Sequence, residues 1–209
     1  MYRPLRPSQI ATIWHLTKVY SAILCFHILA ALCLSSCFAL REPDAPAGPS
    51  TFTPPNQPEI LMANFSTAVA NADVVNYERC FVKEGFTFVP DPNVATNNRG
   101  LFENWTLQNH ELEYMRNLQR IKIAGVPNRV IITNPKINNF TADSVEYIAN
   151  YELGLNLQDT VFGSKPLKGN IILTLVRNTF NEWAIRRWTD NQTTQNQCWT
   201  KLKEKYVAR

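Results

Sequence analysis

Acid–base catalysis needs a carboxylate, imidazole or phenol within hydrogen-bond reach of a reacting atom, with a pKa moved by burial. Beyond residue 36 this chain offers one histidine, His110, together with the acids Glu111, Asp143 and Asp190. His110 can pair with an acid across a pocket. Set among Gln108, Asn109 and Glu113 without an identifiable partner, it reads more simply as a surface histidine on a helix. Asp190, two residues after Trp188 at the end of a strand pattern, can serve as a general base, or it can close a turn and cap the next segment. Tyr77, Tyr147 and Tyr151 can donate to an oxyanion, yet each lies in an apolar stripe, where tyrosines belong to the core with their hydroxyls satisfied. Serine and cysteine nucleophiles lack a placed base, and there is no glycine-rich phosphate loop. Cys25 and Cys33 fall in the leader described below, and among Cys37, Cys80 and Cys198 no pair shows zinc-site or CxxC spacing, so no metal and no cofactor is expected. Cys80 and Cys198 can pair in an oxidising compartment, but two thiols in two helical patterns are more often buried separately.

With 209 residues, 45% hydrophobic and 18% charged, the chain has the composition of one globular domain. The net charge of +4 is misleading about partners. Arg3, Arg6 and Lys18 all precede Cys37 in a segment without acids, and setting them aside leaves 18 basic against 17 acidic residues. A nucleic-acid partner loses its electrostatic argument. Arg186 with Arg187, and Lys201, Lys203 and Lys205, read as a solvated strand edge and helix face.

Residues 1–36 have the layout of a secretory signal peptide: a basic start, then sixteen residues from Val19 to Leu34 without a formal charge. An uncleaved membrane anchor is the rival reading. The run Leu34-Ser35-Ser36-Cys37 resembles the lipobox of bacterial lipoproteins, with Ser rather than the commoner Gly or Ala before the cysteine. The resemblance implies lipid attachment at Cys37, an anchor of several acyl chains in the cell envelope. Phe38 beside it, rather than Asp, points to the outer membrane. Residues 37–57 then read as a solvated, semi-stiff tether, with Pro43, Pro46, Pro49, Pro54 and Pro55 ahead of Pro58.

The elements of a domain over 58–209 follow from periodicity. Ile60, Leu61, Phe65, Ala68 and Val69 predict a helix from Pro58 to about Asn71. Asp73 caps a second helix carrying Val74, Tyr77 and Phe81, with Gly85 ending it. Phe86 to Val89 alternates as a short strand, and Asn93 to Gly100 reads as a loop. Trp105 opens a third helical stretch with Leu112, Met115, Leu118 and Ile121 as its buried stripe. Arg129 to Ile137, the run from Val145 to Leu157, Asn170 to Arg177 and Trp183 to Asp190 are strands. The last three are joined by connections too short for helical crossovers and must pair antiparallel. A loop with Gly163, Pro166 and Gly169 separates two of them. Trp199, Leu202 and Tyr206 mark a closing helix.

This order, with Cys80-Phe81, Phe86-Thr87-Phe88, the Trp105 helix and Trp183-Ala-Ile-Arg-Arg-Trp188-Thr-Asp190, resembles the nuclear transport factor two-like superfamily. The likeness covers Pro58 to Asp190. It implies an α+β cone, in which a curved antiparallel sheet wraps around N-terminal helices and leaves a cavity at its open end. It also implies a homodimer interface on the sheet's outer face; as an interaction protein the chain would carry Ile172, Val176 and Trp188 or Ile148 on that face to a partner. Tyr77, Phe81, Phe86, Phe88, Trp105, Met115 and Trp188 are then the expected pocket lining. The expectation is a lipid-anchored, non-catalytic module for a small apolar ligand or a protein partner. The alternative is a hydrolyase or isomerase of the ketosteroid isomerase type using His110 or Asp190.

Overall fold

The computed structural model describes residues 52–162, 165–194 and 197–207. The expected leader and the attachment residue Cys37 lie outside the described residues. Among the described residues, no helix is long and apolar enough to cross a membrane.

Pro58 opens α1 (Pro58–Asn71) at the position where its missing amide would have had no helical partner. Leu61, Met62, Phe65, Ala68 and Val69 form its buried side. Ala72 leaves the helix in a left-handed conformation, its amide returned to the carbonyls of Ala68 and Val69. Asp73 then caps α2 (Val74–Glu78), accepting from the Asn76 amide at 3.0 Å. This helix stops well before Gly85, contrary to the periodicity. The backbone at its end is claimed by the sheet: the Ile185 amide donates to Cys80 O at 2.8 Å and the Val82 amide to Ile185 O at 3.1 Å. One amide cannot serve both ladders, and the sheet wins.

After β1 (Thr87–Val89) the expected loop contains two single-turn helices, α3 (Pro92–Ala95) and α4 (Arg99–Phe102). Asp91 nucleates α3 by accepting from the amides of Asn93 and Val94. Next comes a wide π-helical turn, Leu107–Glu111, continued by α5 (Leu112–Ile121) with Leu112, Tyr114, Met115 and Leu118 buried.

Four long strands follow, β2 (Arg129–Thr141), β3 (Ser144–Gly154), β4 (Leu167–Arg177) and β5 (Trp183–Gln192). They pair as an antiparallel meander, as their short connections require, and β1 adds in parallel to β5. The result is an α+β fold: a curved sheet in the order β1-β5-β4-β3-β2 with helices on its inner face. The strand β3 keeps strict alternation, with Val145, Tyr147, Ala149, Tyr151 and Leu153 turned inward.

Two local features set what faces the inside. The register of β5 on β4 shifts between Thr174 and Leu175, so Arg186 and Arg187 both point to solvent. Without this bulge Trp188 and Asp190 would face outward; with it both are fully buried. Trp188 is therefore an inner-face residue, which removes it from the expected outer surface. Gly169 is part of β4 rather than of the preceding loop, because Tyr151 lies across it. A Cβ at this position would meet the Tyr151 hydroxyl at 2.5 Å and the Asn191 carbonyl at 2.6 Å.

At the upstream end, the last part of the expected tether is packed rather than solvated. Phe52 is buried under the Arg79 guanidinium, 3.8 Å from its ring centre. Pro55 O accepts from the Trp183 amide at 2.8 Å. At the downstream end α6 (Trp199–Val207) packs against α5, the π-turn, β4 and β5.

Candidate functional site

The residues that the resemblance implied as pocket lining converge on the space between the helices and the inner face of the sheet. Phe81, Phe86, Phe88, Trp105, Met115, Tyr77 and Trp188 all belong to one buried cluster. Their rings touch one another: Phe81 and Phe86 lie 4.9 Å apart, Phe88 and Trp105 5.4 Å, Phe88 and Trp188 5.8 Å. Phe65 from α1 and Trp199 from α6 complete the cluster, with Trp188 and Trp199 edge to face at 4.8 Å. Into the same space, where the resemblance would put a cavity, α6 inserts Trp199, Leu202, Lys203 and Tyr206, all fully buried.

Two buried polar centres sit in this packing. The first is Glu111. The π-turn brings it inward: its amide bonds to Thr106 O, one residue further back than an α-helix would use. Its carboxylate accepts from Tyr77 Oη at 2.5 Å, from Trp105 Nε1 at 2.8 Å and from Lys203 Nζ at 2.8 Å. Lys203, also fully buried, carries its ammonium 3.5 Å above the Trp188 ring centre and 3.6 Å above that of Phe88. Burial lowers its pKa to about 8, while the negative charges of Glu111 and Asp190 pull it back up.

Asp190 is the second centre. Its Oδ1 accepts from Tyr151 Oη at 2.8 Å, and its Oδ2 accepts from the amide and the hydroxyl of Thr200, both at 2.6 Å. Tyr151 Oη in turn accepts from the Trp199 amide at 2.7 Å. Two amides of the first turn of α6, which have no helical acceptor, are thus satisfied from the sheet. The helix-capping reading of Asp190 is the one its contacts fit. Burial raises its carboxyl above the ordinary carboxylate range, against the lowering effect of the Thr200 and Tyr151 bonds.

His110 stands apart from both centres. Its ring stacks on the outer side of the cluster, 5.2 Å from Trp105, and its Nδ1 accepts from the Thr106 amide at 3.2 Å. Asp143 is exposed and its carbonyl accepts from the Arg177 amide. Cys80 and Cys198 are separately buried free thiols, the latter pushed up to about 12 mainly by burial. Among the described residues no three His, Cys, Asp or Glu side chains could hold a metal ion. Trp188 Nε1 finds no acceptor among the described residues.

The pairing of Glu111 with Lys203 corrects the expectation that Lys203 lies on a solvated helix face. A signal for it exists in the sequence. Lys203 occupies the i+4 position between Trp199 and Tyr206, inside the apolar stripe. Glu111 likewise falls in line with Met115 and Leu118. Opposite charges on two buried stripes have to find each other.

No protein-family profile matches the chain, and no curated protein matches it. Solved structures do. A candidate scytalone dehydratase from Novosphingobium aromaticivorans superposes with a TM-score of 0.52 at 13% identity, over 65% of this chain and 81% of that one. A candidate aromatic ring hydroxylase from the same species superposes with a TM-score of 0.50 at 15% identity, over 65% and 86%. At these identities the likeness is one of fold: the cone of the nuclear transport factor two-like proteins.

Proposed function

We propose that this chain is a lipid-anchored cell-envelope protein whose cone domain is a non-catalytic interaction module. It takes a protein partner, a second copy of itself included, on the outer face of the sheet. The observation that carries this reading is the occupied cone. A small apolar ligand or substrate would have to displace Trp199 and Lys203, which are fully buried and bonded to Tyr114 and Glu111. An apolar ligand therefore finds no room inside in this form, and a protein partner would bind on the exterior. On the outer face Ile148 and Ile172 stand opposite each other in the β3–β4 register, both half-buried, in a field that includes Asn150, Lys136 and Arg187. Beside them lies a shallow depression of about 320 Å³ bounded by Ile131, Thr133, Asn150 and the Glu152–Lys168 ion pair.

Sedimentation of the purified domain tests it. The expected outcome is a concentration-dependent dimer that Ile148→Glu with Ile172→Glu converts to monomer without loss of folded signal. A domain that stays monomeric at every concentration sinks the self-association form of the reading.

A second reading is supported by the buried hydroxyl–carboxylate pairs Tyr77–Glu111 and Tyr151–Asp190, and by the likeness in fold to the candidate dehydratase. Under it the domain is a hydrolyase or isomerase, and the base is Glu111 rather than His110. It requires α6 to withdraw before any substrate can reach that carboxylate.

A further inference from the structure

We infer that the interior of the cone is a binding site for a primary ammonium group, occupied in this closed form by the chain's own Lys203. The cage consists of the faces of Trp188 and Phe88, 3.5 and 3.6 Å from Nζ, and of the Glu111 carboxylate at 2.8 Å. Two aromatic faces and a carboxylate around one cation form the arrangement by which proteins recognise alkylammonium ligands.

The parts of the cage hold one another without the lysine. Glu111 is fixed by Tyr77 from α2 and by Trp105 from the segment before the π-turn, while Phe88 packs on both Trp105 and Trp188. All of these residues precede α6, which supplies the occupant and, through Trp199, an edge-to-face contact on Trp188. Stability alone does not account for the pair, because an apolar pair of the same shape in a core is commonly as stable as a buried ion pair. A carboxylate preorganised by two neutral donors, and facing two aromatic planes, has the properties of a receptor. The helix carrying the occupant is the last element described and spans nine residues. A ligand bearing a primary amine competes with Lys203 for the same position, so its binding and the release of α6 are one equilibrium. This assignment goes beyond the exterior binding proposed above, and either can fail without the other.

The test is chemical rescue in the full chain. Lys203→Ala removes three carbons and the ammonium, the atoms of n-propylammonium, and leaves Glu111 buried without its cation. The melting temperature is expected to fall on the order of 10 °C. Propylammonium chloride should restore most of that loss in a saturable way, whereas sodium chloride at the same ionic strength and n-propanol should not. Adding Glu111→Gln should abolish the difference between propylammonium and propanol. If Lys203→Ala does not fold in sodium chloride, the yield of refolded protein in the three additives is the readout. Equal effects of propylammonium and propanol, or no effect of either on melting or on refolding, overturn the assignment.

Discussion

Burial of charge and of phenol dominates the chemistry at the scale of single residues. Desolvation raises the pKa of Tyr77, Tyr114 and Tyr151, and the nearby carboxylates of Glu111 and Asp190 raise it further. The folded chain therefore keeps protons that the unfolded chain surrenders near the ordinary tyrosine value of about 10. Their contribution to stability is complete below that value and is lost as pH rises above it. Lys203 has the opposite sign. Its folded pKa is lowered to about 8, so between there and the ordinary lysine value the unfolded chain holds the extra proton and stability grows with pH. The buried thiols Cys80 and Cys198 are also raised by burial and would offset this rise from the ordinary cysteine value upward, so chemical denaturation of a Cys80→Ala, Cys198→Ala variant across an alkaline series should show a shallow rise from about pH 8 towards pH 10 and a steep fall beyond. A steady decline beginning at about pH 8 would contradict the lowering of the Lys203 pKa by burial.

At the scale of elements, the placement of the inner residues rests on two departures from regularity in the sheet. The bulge at Arg186 and Arg187 turns Trp188 and Asp190 inward, and Gly169 lets the Tyr151 ring lie flat against β4. From there the Tyr151 hydroxyl reaches both Asp190 and the first turn of α6. Gly169→Ala drives a methyl group into the Tyr151 hydroxyl and into the backbone of Asn191, and the backbone cannot swing away. It should destabilise the domain by about 1–3 kcal/mol or more, the usual range for overpacking. Denaturant unfolding checks this, and hydrogen exchange should place the loss at the Trp199 and Thr200 amides. A neutral outcome would mean that Tyr151 is free to move and that α6 is held by other contacts.

The scale of the whole molecule is where the anchor belongs. Phe52 packs under Arg79 as part of the body, so the proposed spacer from Cys37 does not extend to residue 57. The intact mass of the protein extracted from bacterial membranes should correspond to a chain starting at Cys37 and carrying three acyl groups. A mass that retains the leader, or an unmodified Cys37, refutes the lipoprotein reading and leaves the uncleaved anchor.

By itself the chain's pattern of apolar residues determined the α+β class, the run of α1, the alternation of β3 and the antiparallel pairing of the last three strands. These depend on spacing along a few neighbouring residues and on the reach of short connections, which periodicity records directly. It also placed Tyr77 and Phe81 on one apolar stripe, while Trp188 stayed open to either face of the sheet. What only the tertiary structure decided is how the interior is used. The early end of α2 came from Ile185, about a hundred residues away in the chain, competing for its backbone. The joining of Glu111 to Lys203 and of Asp190 to Thr200 arose because α6 packs back against α5, the π-turn, β4 and β5. A buried charge is stable only beside its partner, and which partner lies beside it is a property of distance in space that spacing along the chain does not carry.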